Sequence, residues 1–179
     1  MKKRALYFLK EVVETVVISL AIVLFVRTFL FQPFFVKGES MLPNFSSGDY
    51  LIVDEITPRL KDLKRGEVIV FKNPKNPSIF FIKRIVALPK ERIVIKDGKI
   101  YIYNKEHPTG FELKEPYLQE SFTPGNIDLT LKENEYFVLG DNRKASYDSR
   151  AWGPLKKSDI VGVVRLRAWP PQAFAFFTY

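Results

Sequence analysis

The hydrophobic pattern of the chain changes character once, close to Pro33. Before this point, residues 15–26 form an uncharged apolar run. After it come short apolar runs, several with alternating polar positions, separated by Gly, Pro, Asn and Asp. Long uniform runs are typical of helices, whereas short alternating runs with such boundaries are typical of β-strands. The pattern therefore predicts one N-terminal helix followed by a mainly β structure.

The short runs predict an antiparallel coiled β-sheet or β-sandwich with a small β-hairpin subdomain. Two of them flank Asp97-Gly98, a pair of residues that favours a two-residue hairpin turn. Residues 104–134 are polar and loop-rich, and only one further turn of helix is expected, near residues 155–159. The predicted strands are Phe34–Val36, Tyr50–Val53, Val68–Phe71, Phe80–Ala87, Arg92–Lys96, Lys99–Tyr103, Tyr136–Leu139 and Ile160–Arg167.

The same pattern predicts the domain boundaries. Residues 1–11 form a basic N-terminus, and residues 12–31 form the apolar helix. The main β-domain consists of residues 32–91 and 136–179, which lie on either side of an inserted hairpin and loop subdomain at residues 92–135.

The apolar helix at residues 12–31 has three interpretations. A basic start before an apolar run fits a cleaved signal peptide, but residues 27–35 are bulky where small residues would be needed for cleavage. A buried amphipathic core helix is the second interpretation, and such a helix is rarely so uniformly apolar and at the end of a chain. A retained transmembrane anchor fits if the helix extends to Phe31 and Arg27 reaches the far interface, because roughly 20 residues span a bilayer. We favour the anchor, with the N-terminus in the cytoplasm.

Composition narrows the possible chemistry. The 179 residues include no cysteine and one histidine, so a thiolate metal site, a cysteine nucleophile and a histidine-rich metal centre are excluded. The histidine, His107, lies in a turn-like stretch. The formal charge of +8 suits anionic lipid headgroups or nucleic acid, and a lysine-rich solvated surface is the simpler explanation for its scattered part.

A candidate nucleophile lies directly after the apolar helix, in the stretch Val36–Pro43. There Ser40 follows Gly38 in a turn-like sequence. A serine behind a glycine is most often only a bend. As a nucleophile it would need a base, and with His107 in a loop the remaining choice is a lysine whose pKa is depressed by burial.

Lys83 meets the requirement for such a base. Strand alternation over Phe80–Ala87 places Lys83 on one face with Phe81 and Ile85, and Arg84 on the other. An apolar face disfavours the charged ammonium and lowers the lysine pKa. The alternative is an edge-strand lysine that prevents aggregation.

A third candidate segment, residues 140–153, follows a predicted strand and is rich in Asp, Arg, Ser and Asn. It is either a solvated loop or a buried network in which Asp–Arg pairs hold the loop rigid and a hydroxyl orients the base. Composition favours the first of these interpretations.

Together these segments resemble the bacterial type I signal peptidases, which are membrane-bound serine–lysine endopeptidases. Residues 38–43 look like the nucleophile box of that family, residues 83–89 like its general-base box and residues 140–150 like its third signature. Gly48-Asp49 and residues 65–71 resemble its connecting boxes. The resemblance covers nearly the whole chain.

The resemblance implies roles for individual side chains. Ser40 is expected to be the nucleophile and neutral Lys83 the general base, with Ser146 hydrogen-bonded to the lysine amine to orient it. Two structural ion pairs are expected to brace the site: Asp141 with Arg84, and Asp148 with Arg150.

The resemblance does not identify the second hydrogen-bond donor of the oxyanion hole. The Ser40 backbone N–H is expected to donate to the oxyanion. Some members of the family have a second donor, a serine two residues before the nucleophile, and this position is Gly38 here. A backbone N–H, such as that of Gly38, and a water are the alternatives.

A substrate, a location and partners also follow from the resemblance. The chain is expected to remove signal peptides from exported pre-proteins, cutting after small residues (Ala-X-Ala) through an acyl-enzyme, without cofactor or metal. Its expected partners are the pre-proteins, the phospholipid membrane and, indirectly, the export machinery, but no nucleic acid. It would be a single-pass protein of the bacterial cytoplasmic membrane with its catalytic domain outside. The expected pocket residues are Phe34, Val36, Met41, Phe45 and Ile82.

Two other classes of function stay open at this point. A self-cleaving Ser/Lys repressor would need a DNA-binding helical domain where the apolar helix lies. A membrane-tethered β-domain without enzymatic activity would use its charge to bind partners, although the sequence has no aromatic signature of RNA binding. Cleavage of a pre-protein distinguishes a peptidase from both.

Overall fold

The computed structural model describes residues 2–29 and 31–179, except for the side chains of residues 2, 3, 5, 6, 22–29 and 31. Helix α1 extends over Lys2–Phe29 and is followed by the first strand at Phe31. Among the residues described in full, no helix is both long and apolar enough to cross a membrane. The anchor predicted at residues 12–31 extends into the segment whose side chains lie outside the description.

Within the described residues, twelve strands follow α1 and form two separate sheets. The strands predicted from the sequence are all among them, with ends that differ by a few residues. They are β1 (Phe31–Phe35), β2 (Tyr50–Asp54), β3 (Val68–Asn73), β4 (Asn76–Ala87), β5 (Arg92–Lys96), β6 (Lys99–Tyr103), β7 (Phe111–Glu112), β8 (Ile127–Thr130), β9 (Glu135–Leu139), β10 (Leu155–Lys156), β11 (Ile160–Trp169) and β12 (Ala175–Phe176).

The larger sheet has the strand order β1-β2-β11-β3-β4-β9-β10, and β12 pairs with β11. All of its pairings are antiparallel. Register shifts interrupt the pairing of β11 with β2 and of β4 with β9, and such irregularities increase the twist of a sheet. The coiling brings β1 close to β4, where the Phe34 and Phe80 rings meet edge to face with centroids 5.4 Å apart.

The smaller sheet, in the order β7-β6-β5-β8, contains the predicted hairpin at its centre. Strands β5 and β6 have the predicted ends, and both turn residues have a positive φ, 53° at Asp97 and 78° at Gly98. This conformation is what the Asp-Gly pair favours in a two-residue turn. The subdomain is larger than the small hairpin predicted, because β7 and β8 add a strand to each side of it.

Residues 31–179 contain four short helical turns, and three of them were not predicted. The turn expected near residues 155–159 is a 3₁₀ turn at Lys157–Asp159. The α-helical turns α2 (Thr57–Leu60) and α3 (Ser149–Trp152), and a 3₁₀ turn at Pro171–Ala173, were not expected. Each has four residues or fewer, which is too short for helical periodicity to be visible in the sequence.

Three clusters of buried apolar side chains fill the molecule. One lies between the smaller sheet and the β4–β9 region, and it includes Ile93, Ile102 and Phe137. A second packs Tyr136 and Leu155 against the centre of the larger sheet. The third lies beneath the β1–β2 connection and contains Val36, Met41, Phe45, Leu51 and Val164. This third cluster supports the segment that carries Ser40.

Candidate active site

Ser40 lies in a compact turn between β1 and β2. The Val36 N–H donates to the Asp49 carbonyl at 2.9 Å, which closes the base of the turn. Gly38 has a φ of +92°, a conformation that glycine adopts without the steric cost that other residues incur. The glycine thus bends the chain just before Ser40, which is half-buried.

Lys83 reaches Ser40 from the middle of β4. Its Nζ lies 2.8 Å from Ser40 Oγ and 2.8 Å from the Ile82 carbonyl oxygen. The residue is only 3% exposed, and the Phe81 ring lies 5.3 Å from the amine. Strand β4 is central in the sheet, paired with β3 and β9, so the alternative of an edge-strand lysine is wrong.

Burial lowers the pKa of Lys83 from its usual value to about 8, because an ammonium ion is poorly solvated in this position. The nearby carboxylates of Asp148 and Asp141 act in the opposite direction and limit the shift. At pH 7 roughly a tenth of the lysine is therefore neutral, against less than about a thousandth for an unperturbed lysine. A neutral amine has a lone pair that accepts the Ser40 O–H hydrogen bond at the observed distance.

The third segment meets the Ser40 turn at Gly140, directly after β9. A Cβ at this position would lie 2.3 Å from both the Ser40 carbonyl oxygen and Ser146 Oγ, so only glycine fits. The Asn142 N–H donates to the Ser40 carbonyl at 3.0 Å, and its side chain donates to the Glu39 carbonyl at 3.2 Å. The close approach and these hydrogen bonds fix the backbone at Ser40.

Both predicted ion pairs are present in this loop. Arg84 Nε and Nη2 donate to Asp141 at 2.8 and 2.6 Å. Arg150 donates to both oxygens of Asp148 at 2.8 Å, and the Gly140 N–H donates to the same carboxylate at 3.1 Å. Both carboxylate side chains have no exposed surface. The Asp–Arg pairs of this segment therefore form a buried network, whereas Lys144, Ala145 and Tyr147 between them are exposed.

Ser146 does not make the contact that was expected of it. Its Oγ is buried, lies beside Gly140 and has no hydrogen-bond partner among the described residues. The lysine amine is oriented instead by the Ile82 carbonyl, which belongs to the same strand. The expected hydrogen bond from Lys83 to Ser146 is therefore absent from this arrangement.

The backbone N–H groups expected to form the oxyanion hole have no acceptor within the described part of the chain. The turn contains hydrogen bonds donated by Leu42 and Phe45, but none is donated by the N–H of Gly38 or of Ser40. Both donors are therefore free to donate to a partner from outside the described residues.

An apolar cleft of about 630 Å³ opens beside Ser40 and Lys83, between β1 and β4. Of the five residues predicted to line a pocket, Phe34, Val36 and Ile82 do so. The prediction is wrong for Met41 and Phe45, which are each 1% exposed and pack in the core beneath the turn. Sequence reasoning missed several lining residues, among them Phe80, Phe81, Ala145 and Tyr147.

A second ionic network, absent from the predictions, attaches the inserted segment to the site. Glu115 accepts hydrogen bonds from Arg143 at 2.5 and 2.7 Å, and from the Tyr117 hydroxyl at 2.5 Å. The Tyr117 ring lies 4.0 Å from the guanidinium of Arg84. Within the loop-rich residues 104–134, nothing in the sequence distinguishes Glu115 and Tyr117 from solvent-exposed residues.

The chain as a whole is similar to known proteins of one family. The family model described as signal peptidase, peptidase S26, matches residues 9–169. Signal peptidase I of Bacillus caldolyticus is 35% identical over 173 residues, which cover 89% of this chain and 91% of the relative. Signal peptidase I V of Bacillus subtilis (strain 168) is 35% identical over 178 residues, with coverage of 92% and 98%.

Among solved structures, a signal peptidase I from Enterococcus faecalis V583 is 33% identical. The match covers 57% of this chain and 97% of that one, with a TM-score of 0.49.

Proposed function

Since this chain belongs to the signal peptidase family, peptidase S26, we propose that Ser40 and Lys83 are the nucleophile and the general base with which it removes signal peptides from pre-proteins. It is a serine endopeptidase of that family. The observation that carries the residue assignment is the 2.8 Å contact between Lys83 Nζ and Ser40 Oγ in a nearly buried position.

The proposed reaction begins when the neutral Lys83 amine takes the proton from Ser40 Oγ. The oxygen then attacks the carbonyl carbon of the scissile peptide, and the N–H groups of Ser40 and Gly38 donate to the resulting oxyanion. The Lys83 ammonium returns its proton to the leaving amine, which departs as the new N-terminus. A water activated by the same lysine hydrolyses the acyl-enzyme and restores Ser40.

We assign the bracing role to the ion pairs of Asp141 and Asp148. Both carboxylates fix the loop that contacts the Ser40 carbonyl, and both raise the Lys83 pKa toward its usual value. Ser146, whose hydroxyl is buried and unpaired beside Gly140, is proposed to hydrogen-bond to the lysine amine once a substrate displaces that amine from its resting contacts.

Cleavage of a pre-protein by the detergent-solubilised chain tests this function. We expect one cut, directly after an Ala-X-Ala sequence, because side chains one and three residues before the cut point into the cleft. Tryptophan at either position should reduce kcat/KM by about a hundredfold, on the scale of pocket discrimination. Tryptophan at the middle position should change it only a few-fold, since that side chain points away. Equal loss at all three positions would contradict the proposed substrate.

Helix α1 is proposed to anchor the chain in the bacterial cytoplasmic membrane, with the β-domain on the outer side. Its 28 residues give a length of about 42 Å at 1.5 Å per residue, which exceeds the roughly 30 Å hydrocarbon core. Residues 15–26 are uncharged, and Lys2, Lys3 and Arg4 precede them, as expected for a cytoplasmic end. The anchor places the cleft near the membrane through which pre-proteins emerge, close to the export machinery.

Extraction of membranes with alkaline carbonate tests the anchor. The full chain should stay in the membrane pellet, because a spanning helix is held by its apolar length and not by charge. Protease added outside the cytoplasmic membrane should degrade the β-domain. Release of the chain into the carbonate supernatant would contradict the anchor, and a protected β-domain would contradict the orientation.

A further inference from the structure

A second cavity, of about 370 Å³, lies on the other side of the Ser40 turn from the apolar cleft. Leu42 and Pro43 of the turn form one wall, and Asn142 and Lys144 of the loop after β9 form another. Glu120, from the inserted segment, completes the rim. None of these five residues lines the apolar cleft.

The two cavities share a dividing wall that carries the nucleophile. Along the turn, residues 36–40 line the apolar cleft and residues 42–43 line the second cavity. Along the loop after β9, residues 142–144 line the second cavity and Ala145 lines the cleft. Ser40 therefore lies at the boundary between the apolar cleft and the second cavity.

A substrate must use both sides of this boundary. When its scissile carbonyl lies at Ser40 Oγ, the residues before the bond extend in one direction and the residues after it extend in the other. The apolar cleft, with Phe34 and Ile82 in its walls, suits the apolar residues that precede the bond. The chain after the bond is then directed past Ser40 toward the second cavity.

Charged side chains form a larger share of the lining in the second cavity than in the cleft, although Leu42, Pro43 and Phe122 give it apolar walls as well. Lys144 and Glu120 form an ion pair of 2.5 Å at its rim, with side chains that are 65% and 68% exposed. Asn142 also lines this cavity and is held by its hydrogen bonds to the Ser40 and Glu39 carbonyls. A hydrated rim with one charge of each sign suits polar and charged side chains, which an apolar pocket would exclude.

We propose that the second cavity binds the first residues after the scissile bond, and that Lys144 and Glu120 set the charge preference for them. This inference rests on the proposed function. The cavity is a specificity site for the mature part of the pre-protein, separate from the cleft that selects the signal peptide.

The experiment compares two pre-proteins that differ only at the second and third residues after the cut, where one has two Asp and the other two Lys. The full chain in detergent is assayed as wild type and as Lys144→Glu. We expect the ratio of kcat/KM for the Lys substrate to that for the Asp substrate to rise about tenfold in the variant. Two unit charges about 4 Å apart in water are worth about fivefold, so reversal of the Lys144 charge changes kcat/KM by at most about 25-fold for each substrate, in opposite directions. Solvent exposure and salt screening reduce these changes, which is why the expected change in the ratio is only about tenfold.

Lys90→Glu is the matched control. Lys90 also forms an exposed ion pair, of 2.8 Å with Glu133, with side chains that are 61% and 76% exposed. It lines neither cavity, and its substitution makes the same change in net charge. We expect the substrate ratio to stay within about twofold of wild type, since screening weakens charges beyond roughly 10 Å.

Two results would overturn this assignment and leave the proposed function standing. In the first, wild type cleaves both pre-proteins and Lys144→Glu leaves the ratio of kcat/KM unchanged. In the second, Lys90→Glu shifts the ratio as much as Lys144→Glu does. If wild type cleaves neither pre-protein, the proposed function fails, and this assignment fails with it.

Discussion

Replacement of Ser40 by alanine or of Lys83 by methionine should abolish cleavage of a pre-protein, with a loss of roughly four orders of magnitude or more in kcat. The alanine removes the oxygen that is proposed to attack, and the methionine removes the amine 2.8 Å from it. The two losses should not add in the double variant, because each residue is useless without the other. Initial rates with a labelled pre-protein measure all three variants.

Substitutions of the same kind elsewhere separate chemistry from folding. Ser47→Ala removes an exposed hydroxyl from the same turn, and Lys132→Met removes an exposed amine. Both should cleave at the wild-type rate. A Ser40→Ala or Lys83→Met variant that cuts within tenfold of wild type would show that its residue has been assigned wrongly.

Asp141→Ala should destabilise the fold by about 3–5 kcal/mol, because it leaves the Arg84 guanidinium buried without its counter-charge. The carboxylate accepts two hydrogen bonds from Arg84 and one from Asn44, and its side chain has no exposed surface. Asp141→Asn keeps an oxygen acceptor and should lower the free energy of unfolding by less. Urea unfolding followed by tryptophan fluorescence measures the change, since Trp152 packs against Phe71 in the core.

Asp128→Ala is a closely matched control for this effect. Asp128 also makes a two-bond pair with an arginine, at 2.7 and 2.6 Å to Arg92, but the two side chains are 55% and 46% exposed. A solvated pair of this kind contributes about 1 kcal/mol or less. If Asp141→Ala and Asp128→Ala lowered the free energy of unfolding equally, the proposal that the buried Asp141–Arg84 pair stabilises the loop beside Ser40 would be wrong.

The elements that were predictable from sequence are those whose signal is local. The β5–β6 hairpin has the predicted ends because the Asp97-Gly98 turn and the alternation on both sides agree. Strand β4 starts earlier than predicted, at Asn76, because the chain turns at residues 74–75 and pairing with β3 resumes at once. Strands β7 and β8 are short and half-exposed, and they form only because they pair with β6 and β5.

Lys83 was predictable because alternation in a strand determines which face a side chain occupies. Met41 was not, because a turn has no such periodicity: it follows Ser40 directly and yet points into the core. The hydrophobic character of Met41 and Phe45 identified them as buried, but only the folded turn determines whether a buried side chain faces the cleft or the interior.

Contacts between distant segments were the least predictable part of the site. Only glycine fits at position 140, because Ser40 and Ser146 leave no space for a side chain there. The Glu115–Arg143 pair joins a loop of the smaller sheet to a loop of the larger sheet. Polar residues in loops carry no periodic signal, so neither relation is visible without the fold. The family resemblance identified Asp141 and Asp148, whereas Glu115 lies outside its motifs.

The dependence of kcat/KM on pH tests the central claim that neutral Lys83 is the base for Ser40. A group whose pKa is lowered to about 8 is mostly protonated, and inactive as a base, below that pH. We therefore predict that kcat/KM of the wild-type chain rises about tenfold per pH unit from pH 6 and levels off above about pH 8. A rate that is flat or falls between pH 6 and 9 would contradict the account.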